Sequence, residues 1–174
     1  MPYLHPPLDW SSPGPNPGLD RAPGPVDVIV PVYGAAVAGR PESQVMILRN
    51  PERRGFVGSV NRGMAVSDRD VILLNSDTEV TAGWLEKLQE AAYSDPAVAT
   101  VTPFSNNATI ASLPRFAEVN ALPSGWSADR FAALVERVSA RERPRLPTGV
   151  GVCLYIKRKA LDRLGLFDEA RFGL

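Results

Sequence analysis

Residues 70–80 read DVILLNSDTEV, and this stretch combines a strand pattern with a polar turn. Residues 71–74 form an unbroken apolar run, which is typical of a short strand buried on both faces. Asn75, Ser76 and Asp77 follow it directly. In open α/β sheets, ligands gather in the crevice outside the carboxyl ends of the strands. The stretch therefore predicts a strand with a candidate site at its end.

Outward from this stretch, strand and helix patterns alternate. Further strands are predicted at 26–30, 45–48, 97–101 and 149–156. Helices are predicted at 55–65, 82–93 and 160–164, and another follows Ser127. Thr81 and Ser127 are the expected N-caps of the helices they precede. This alternation predicts an α/β domain with a mostly parallel sheet flanked by helices.

Composition and charge set the bounds of the molecule. The chain has 174 residues, of which 44% are hydrophobic, enough to bury a core. Residues 1–25 are rich in proline and glycine, so we expect a disordered leader there and a folded domain at 26–174. The 19 basic and 19 acidic residues balance, so no overall field attracts nucleic acid or anionic lipid.

The same inventory limits the available chemistry. No apolar run approaches the roughly 20 residues that span a bilayer, and no secretory signal pattern is present. One cysteine and one histidine exclude an internal disulfide and a zinc site built on these residues. Any metal is therefore expected to be a hard cation bound by oxygen. We expect a cytoplasmic location, with peripheral membrane association as an alternative.

Asp77 is the candidate metal ligand, and Glu79 is a second candidate. A carboxylate at the end of a strand can hold Mg²⁺ or Mn²⁺, and such an ion can bridge the phosphates of a nucleotide. The ion would neutralise the charge that grows on a departing diphosphate. Asn-Ser-Asp-Thr is also ordinary turn and capping chemistry. At this point both interpretations stay open.

Four segments together resemble inverting family-two glycosyltransferases of the GT-A fold. They are VDVIVPVYG at 26–34, RNPERRGFVGSVNRGMA at 49–65, DVILLNSDTEV at 70–80 and LPTGVGVCLYIKRKALDRLGLFDEARFG at 146–173. The resemblance implies a Rossmann-like, GT-A-like mixed sheet. It also implies transfer of a sugar from a nucleoside-diphosphate donor, of the UDP or dTDP type, to the hydroxyl of a sugar, lipid or protein acceptor.

The resemblance also implies roles for individual residues, each with a structural alternative. Pro31, Val32 and Tyr33 would line the nucleoside pocket, and Asn61 would lie beside the nucleotide. Asn75, Ser76 and Asp77 fall on the D-x-D-like motif, with Asp77 as its main metal carboxylate, and Thr148 and Gly149 match the loop beside the sugar and acceptor. Alternatively, Tyr33 is a half-buried aromatic, Asn61 faces solvent, and the 148–151 loop only permits a tight turn or close strand packing.

Three features outside these motifs are assigned mainly to structure. Cys153 alternates with apolar neighbours and is expected in the core. The arginines at 141, 143 and 145 could contact a phosphate, but a solvated loop is the favoured interpretation. The helix after Ser127 presents one apolar face, expected to be core or to contact a partner, formed by Phe131, Leu134, Val135 and Val138.

Two departures from the family pattern suggest an incomplete domain. Between Gly34 and Val45 the family has a long helix and a strand ending in an aspartate motif, but here only about ten unpatterned residues occur. An acidic pair containing the catalytic base is expected after Phe172-Gly173, and the sequence stops at Leu174. Asp168 and Glu169 precede that position and match a structural turn, so no residue is assigned as the base.

Two function hypotheses follow, both on a partial, internally shortened domain. The first is glycosyl transfer, and the second is a non-catalytic remnant or binding module that retains the fold. Self-association through the edge left by the missing strand would accompany the second. A dinucleotide-dependent enzyme is disfavoured because no G-x-G-x-x-G follows the first strand.

Overall fold

A computed structural model describes residues 24–32, 44–49 and 55–173 of the chain. Five strands and five helices alternate within these residues, with one 3₁₀ turn at Thr109–Ala111. The strands are β1 (Val26–Val32), β2 (Gln44–Arg49), β3 (Asp70–Leu74), β4 (Thr100–Val101) and β5 (Cys153–Ile156). The helices are α1 (Gly55–Val66), α2 (Trp84–Tyr93), α3 (Ala128–Val138), α4 (Arg158–Leu164) and α5 (Glu169–Phe172).

The five strands form one mixed sheet in the order β2-β1-β3-β5-β4. β1 pairs in parallel with both β2 and β3, whereas β5 is antiparallel to both β3 and β4. Four strands therefore run in one direction and β5 runs in the other. The predicted α/β class with a mostly parallel sheet is confirmed.

Both faces of the sheet are covered, which explains the unbroken apolar run at 71–74. Successive residues of a strand point to opposite faces. Val30, Ile72 and Leu74 pack with Leu88 and Ala92 of α2 on one face. On the other face, Val71 and Leu73 pack with Val60 and Met64 of α1 and Leu161 of α4. Cys153 lies in the first cluster and is only 3% exposed, so its expected core position is confirmed.

The strand expected to be missing does not leave β1 at an edge. β2 pairs directly with β1, from Asp27 opposite Gln44 to Val32 opposite Arg49. The other side of β1 is taken by β3. β1 therefore lies inside the sheet, and β2 and β4 end the order of the described strands, so self-association through a sheet edge stays a prediction. The intervening residues 33–43 lie outside the described part of the chain.

Several predicted element boundaries are wrong for local reasons. β4 begins at Thr100, because residues 95–98 form a turn in which Asp95 accepts a hydrogen bond from the Ala97 amide at 2.8 Å. β5 begins at Cys153, since residues 149–152 form a loop. Thr81 is not the cap of α2: the N-cap is Gly83, with a left-handed φ of 69° and no side-chain cap. Ser127 does cap α3, because its hydroxyl accepts from the Arg130 amide.

Helix α3 has no buried residue, so the core interpretation of its apolar face is wrong. None of its side chains belongs to either core cluster or packs against one. Of the proposed leader, the structure describes only residues 24 and 25, which are exposed and outside any element. No helix within the described ranges is long and apolar enough to cross a membrane.

Candidate functional site

The sheet brings three of the predicted site segments to one edge. β1 and β3 are parallel and in register, with Ile29 opposite Leu73, so they end side by side. β5 runs the other way and starts where β3 ends, with Leu74 opposite Cys153. The loops after β1 and β3 and the loop before β5 therefore meet. We call this edge, formed by residues 31–32, 75–78 and 148–152, the rim.

The polar segment after β3 forms a tight turn anchored to the loop before β5. The Thr78 amide donates to the Asn75 carbonyl at 3.2 Å, which closes the turn. The Asn75 amide and the Thr78 hydroxyl both donate to the Val152 carbonyl, at 3.1 and 3.3 Å. The turn interpretation of this sequence is therefore confirmed. These bonds fix the backbone of the turn, and none of them involves the side chain of Ser76 or Asp77.

Asp77 and Ser76 form the exposed tip of this turn. The Asp77 carboxylate makes no hydrogen bond or ion pair with any other described residue, and Glu79 nearby is also exposed. The described residues contain no group of three or more histidine, cysteine, aspartate or glutamate side chains that could enclose a metal. Mg²⁺ commonly binds through one or two carboxylates, with substrate phosphates and water completing its shell. Asp77 fits that open arrangement, so the metal site stays a prediction.

The loop before β5 is fixed from two sides. The Val150 amide donates to the Thr102 hydroxyl at 3.1 Å, which ties the loop to the end of β4. A Cβ atom on Gly149 would lie 2.5 Å from Cδ1 of Leu154, so any side chain there would displace a core residue. Thr148 is exposed, and its hydroxyl donates to the Gly149 carbonyl at 3.2 Å. Close packing at Gly149 and an exposed Thr148 thus occur together in this loop.

Asn61 is buried in α1, so the solvent-facing interpretation is wrong. Its Nδ2 donates to the Phe167 carbonyl at 2.8 Å, and its Oδ1 accepts from the Phe167 amide at 3.0 Å. Both ends of the side-chain amide are therefore used to join α1 to the segment before α5. A contact between Asn61 and a nucleotide stays a prediction.

The remaining predicted residues are placed as follows. Pro31 is half-buried at the end of β1, and Val32 extends that strand opposite Arg49. Tyr33 lies outside the described residues. Asp168 is the N-cap of α5, where its carboxylate accepts from the Arg171 amide at 3.1 Å and pairs with the Arg171 guanidinium at 3.3 Å. The expected structural turn at Asp168 is confirmed.

A cavity of about 460 Å³ lies beside the 149–151 loop, and sequence reasoning missed it. Its volume is in the range of small-molecule pockets. Asp168 is the only charged residue among the described residues that line it, and that carboxylate is already engaged. The other lining residues are apolar or glycine and include Phe56, Val57, Gly151, Leu154, Phe167 and Phe172. Phe56 lines the cavity and is 41% exposed, but no pattern in the sequence distinguished it from an aromatic residue of the core.

A second polar cluster lies at the opposite end of β3 and serves the fold. One oxygen of Asp70 accepts from the hydroxyls of Tyr93 and Tyr155 at 2.7 and 2.6 Å, and the other accepts from the Arg158 amide at 2.8 Å. Burial raises the pKa of Tyr155 above its usual range, and the hydrogen bond to Asp70 adds to this shift. Burial lowers the pKa of the neighbouring Lys157. The cluster joins β3, α2, β5 and α4 away from the rim.

The arginine-rich segment after α3 is exposed but partly engaged. Arg143 pairs with Glu90 of α2 at 2.6 Å, and Arg145 lies 3.9 Å from Asp95. Arg141 makes no ion pair with the described residues. The segment therefore lies along α2. Because two of its three arginines are already near acidic side chains, this arrangement does not support phosphate binding by all three together.

Comparison with known proteins now adds to this geometry. The sequence model of glycosyl transferase family 2 matches residues 35–165, which is well over half of the chain and includes Asn61, Asp77 and Thr148. A Drosophila melanogaster protein named "Putative polypeptide N-acetylgalactosaminyltransferase 13" is 43% identical over 58 residues, which cover 33% of this chain and 10% of that protein. The chain thus spans about a tenth of the length of this curated relative. No solved structure matches the chain significantly.

A mixed α/β sheet whose strand ends gather the predicted polar loops agrees with that match. Glycosyl transfer is the activity common to the matched family and the named relative. The chain belongs to glycosyl transferase family 2.

Proposed function

We propose that the rim is a donor site, at which a sugar passes from a nucleoside diphosphate of the UDP or dTDP type to an acceptor hydroxyl on a sugar, lipid or protein. Membership of the family supports glycosyl transfer in general. One observation carries the specific proposal: the Asp77 carboxylate is exposed on a turn whose backbone is fixed to Val152. Because the turn is already fixed, a cation that binds Asp77 does not have to order the loop first, which lowers the entropy cost of binding.

The predicted site residues, at the rim and next to it, divide between the two ends of the donor. Pro31, Val32 and Tyr33 would hold the base and ribose at the end of β1. Asn75 and Ser76 would face the diphosphate beside Asp77. Asn61 would act on the nucleotide side through α1, the helix that it joins to Phe167. Thr148 and Gly149 would face the transferred sugar and the acceptor from the loop before β5.

Asp77 is also the residue that would hold Mg²⁺ or Mn²⁺, with Glu79 as a second candidate. When bound, the ion supplies positive charge that stabilises the departing diphosphate. The protein's part is to keep one carboxylate exposed at a fixed position and leave the remaining coordination positions to phosphates and water. This division agrees with the lone carboxylate at the tip of the turn.

The proposed transfer inverts the configuration of the sugar in one displacement. The acceptor oxygen forms a bond to the anomeric carbon as the bond from that carbon to the diphosphate oxygen breaks. The nucleoside diphosphate leaves with the electron pair, and the acceptor proton passes to a carboxylate base, a step worth roughly 10²–10⁴-fold in rate. We assign no described residue to that base, because Asp168 already caps α5 and pairs with Arg171.

Calorimetric titration with UDP and dTDP, with and without Mn²⁺, tests the site. Asp77→Asn removes a metal ligand, so we expect Mn²⁺-dependent affinity to fall at least about tenfold, which is 1.4 kcal/mol. Asp68→Asn is the matched control, since Asp68 precedes β3 at the other end of the sheet and its side chain is 98% exposed. Unchanged affinity in Asp77→Asn would reject the assignment.

Turnover distinguishes the enzyme from a non-catalytic module with the same fold. Release of nucleoside diphosphate from a donor, lost in Asp77→Asn and kept in Asp68→Asn, would support the enzyme. Binding without release would support the module. A cytoplasmic location stays part of the proposal and is tested by fractionation.

A further inference from the structure

The cavity beside the 149–151 loop lies between α1 and α5. Phe56 lines it from the first turn of α1, and Phe172 lines it from the last residue of α5. Leu73 of β3 and Leu154 of β5 line it from the sheet, and both belong to the core cluster on the α1 side. The cavity is therefore a recess between a helix layer and the sheet, with a volume of about 460 Å³.

The residues that line the cavity offer almost no hydrogen-bonding side chains. Those described are phenylalanine, leucine, valine and glycine, apart from Asp168. The Asp168 carboxylate already accepts from the Arg171 amide and pairs with the Arg171 guanidinium. Sugar hydroxyls or a diphosphate placed here would lose water without gaining side-chain partners, which is unfavourable. A hydrocarbon chain needs no such partners and is stabilised by leaving water, so the lining favours hydrocarbon.

Three of the lining side chains are left partly uncovered by the core. Phe56 is 41% exposed, Leu166 is 42% exposed and Phe172 is 67% exposed. Large apolar side chains that are exposed around a concave site are typical of a ligand-binding groove. The cavity is therefore accessible to a ligand from solvent, unlike a void that is sealed within the core.

The cavity and the rim share the loop before β5. Gly149 and Gly151 line the cavity, and both lie in the rim. Thr148, the residue before them, is exposed and is proposed above to face the acceptor. A ligand whose hydroxyl end lies at Thr148 would therefore reach the cavity with a chain attached to that end.

We propose that the cavity binds the hydrocarbon chain of the acceptor, which makes the acceptor a hydroxyl group carried on a lipid chain. This assignment rests on the proposed function of the rim, and it selects one of the three acceptor classes named there. A free sugar has no chain to fill the cavity. A protein acceptor would insert single apolar side chains, whereas about 460 Å³ is the volume of a site for a whole small molecule.

Calorimetric titration of the full chain with alkyl glucosides tests this assignment. The probes are methyl, butyl, hexyl and octyl β-D-glucoside, each used below the concentration at which it forms micelles. They share one sugar and differ only in the length of the chain. We expect the affinity to rise with each added methylene group, by up to about fourfold where that group is fully buried.

Gly151→Leu should lower the affinity for octyl glucoside at least about tenfold, because its side chain occupies the cavity. A Cβ atom at Gly151 would meet its nearest atom, Cζ of Phe56, at 3.9 Å, so the new side chain enters without displacing the backbone. Leu166→Asp should act similarly, since a charge in the lining keeps its water. Leu164→Asp is the matched control, because Leu164 is 79% exposed and is not among the lining residues. It should change the affinity less than about threefold.

Several outcomes would overturn the proposal. One is an affinity that does not depend on chain length, and another is an equal loss in Leu166→Asp and Leu164→Asp. Competition between octyl glucoside and UDP with Mn²⁺ would assign the cavity to the donor. Stronger binding of a capped phenylalanine–threonine dipeptide than of octyl glucoside would assign it to a protein acceptor. If circular dichroism shows that Gly151→Leu does not fold, the two aspartate variants decide.

Asp77→Asn separates this proposal from the donor site. The variant should lose Mn²⁺-dependent affinity for UDP and keep the dependence on chain length, because Asp77 is not among the lining residues. Chain-length dependence in a protein that binds no UDP would support the cavity assignment and reject the donor site. UDP binding without chain-length dependence would reject the lipid acceptor alone.

Discussion

Asn61 and Asp77 are both polar residues of the predicted site, yet the structure uses their side chains in opposite ways. Asn61 is buried with both ends of its amide bonded to Phe167, while Asp77 is exposed with no described partner. The Asp77 turn was predictable, because its backbone hydrogen bond is local and Asn-Ser-Asp-Thr favours turns. The Asn61 contact was not, since its partner is 106 residues away and no local pattern encodes that distance.

Gly149 and Gly151 give a matched test of packing at the rim. A Cβ on Gly149 would lie 2.5 Å from the buried side chain of Leu154, whereas a Cβ on Gly151 would meet its nearest atom, on Phe56, at 3.9 Å. Gly149→Ala should lower the free energy of unfolding by about 1–3 kcal/mol, because Leu154 must shift within the core. Gly151→Ala should change it by less than about 0.5 kcal/mol. Urea titration measures both, and equal effects would show that Leu154 yields without cost.

At the scale of elements, helices α1, α2 and α3 were predictable, and α1 and α3 begin where the sequence predicts, whereas α2 does not. Ser127 caps α3 as expected, but Thr81 does not cap α2, because Gly83 adopts a left-handed φ and starts the helix two residues later. Strand β5 was predicted as a strand, and its direction was not. The apolar pattern of a strand is the same whichever way the chain runs. Direction is fixed by pairing with β3 and β4.

The two cap predictions can be tested side by side. Ser127→Ala removes the acceptor of the Arg130 amide, so the opening free energy of the first turn of α3 should fall by about 1 kcal/mol. Thr81→Ala removes no capping bond, since only the Thr81 backbone carbonyl contacts α2, through the Trp84 amide. Hydrogen exchange at the Arg130 and Trp84 amides measures both. A comparable loss of protection in the Thr81 variant would contradict the assigned caps.

At the scale of the whole molecule, fold class and the gathering of strand ends followed from sequence, while the strand order did not. β2 lies beside β1, a pairing that no sequence pattern predicted. Nothing in the pattern of residues 45–48 states which neighbour they pair with. The apolar cavity beside the 149–151 loop also depends on elements far apart in sequence, from Phe56 to Phe172. The strand order and the cavity depend on contacts between elements that are far apart in sequence, so no local pattern predicts them.

Two buried ionisable groups on β5 make the stability of the molecule sensitive to alkali. Burial raises the pKa of the Cys153 thiol from 9.0 to about 12, and burial with the Asp70 hydrogen bond raises the pKa of Tyr155. Each folded-state pKa exceeds the unfolded value, so the stabilisation is complete below the unfolded pKa and is lost as pH rises above it. For Cys153 that window runs from about pH 9 to 12, with a slope approaching 1.4 kcal/mol per pH unit.

Urea unfolding between pH 7 and pH 11 measures this loss. The free energy of unfolding should fall more steeply above pH 9 in the unmodified protein than in Cys153→Ala. Lys157, whose pKa burial lowers, acts in the opposite sense below its ordinary pKa of 10.5 and is the same in both proteins. Cys153→Ala should lower the value below pH 9, because the core loses a packed side chain, and should give a shallower fall between pH 9 and 10, before Tyr155 begins to contribute. A fall of the same slope in both proteins would assign the alkaline loss to other groups.

The antiparallel course of β5 also has a consequence for the order of events during synthesis. The Val152 carbonyl that fixes the Asp77 turn emerges from the ribosome more than seventy residues after the turn itself. A nascent chain that has completed β3 therefore has the carboxylate but not its support. Because a ligand stabilises only the state that binds it, a nucleotide bound at the rim would favour the state in which β5 is paired with β3.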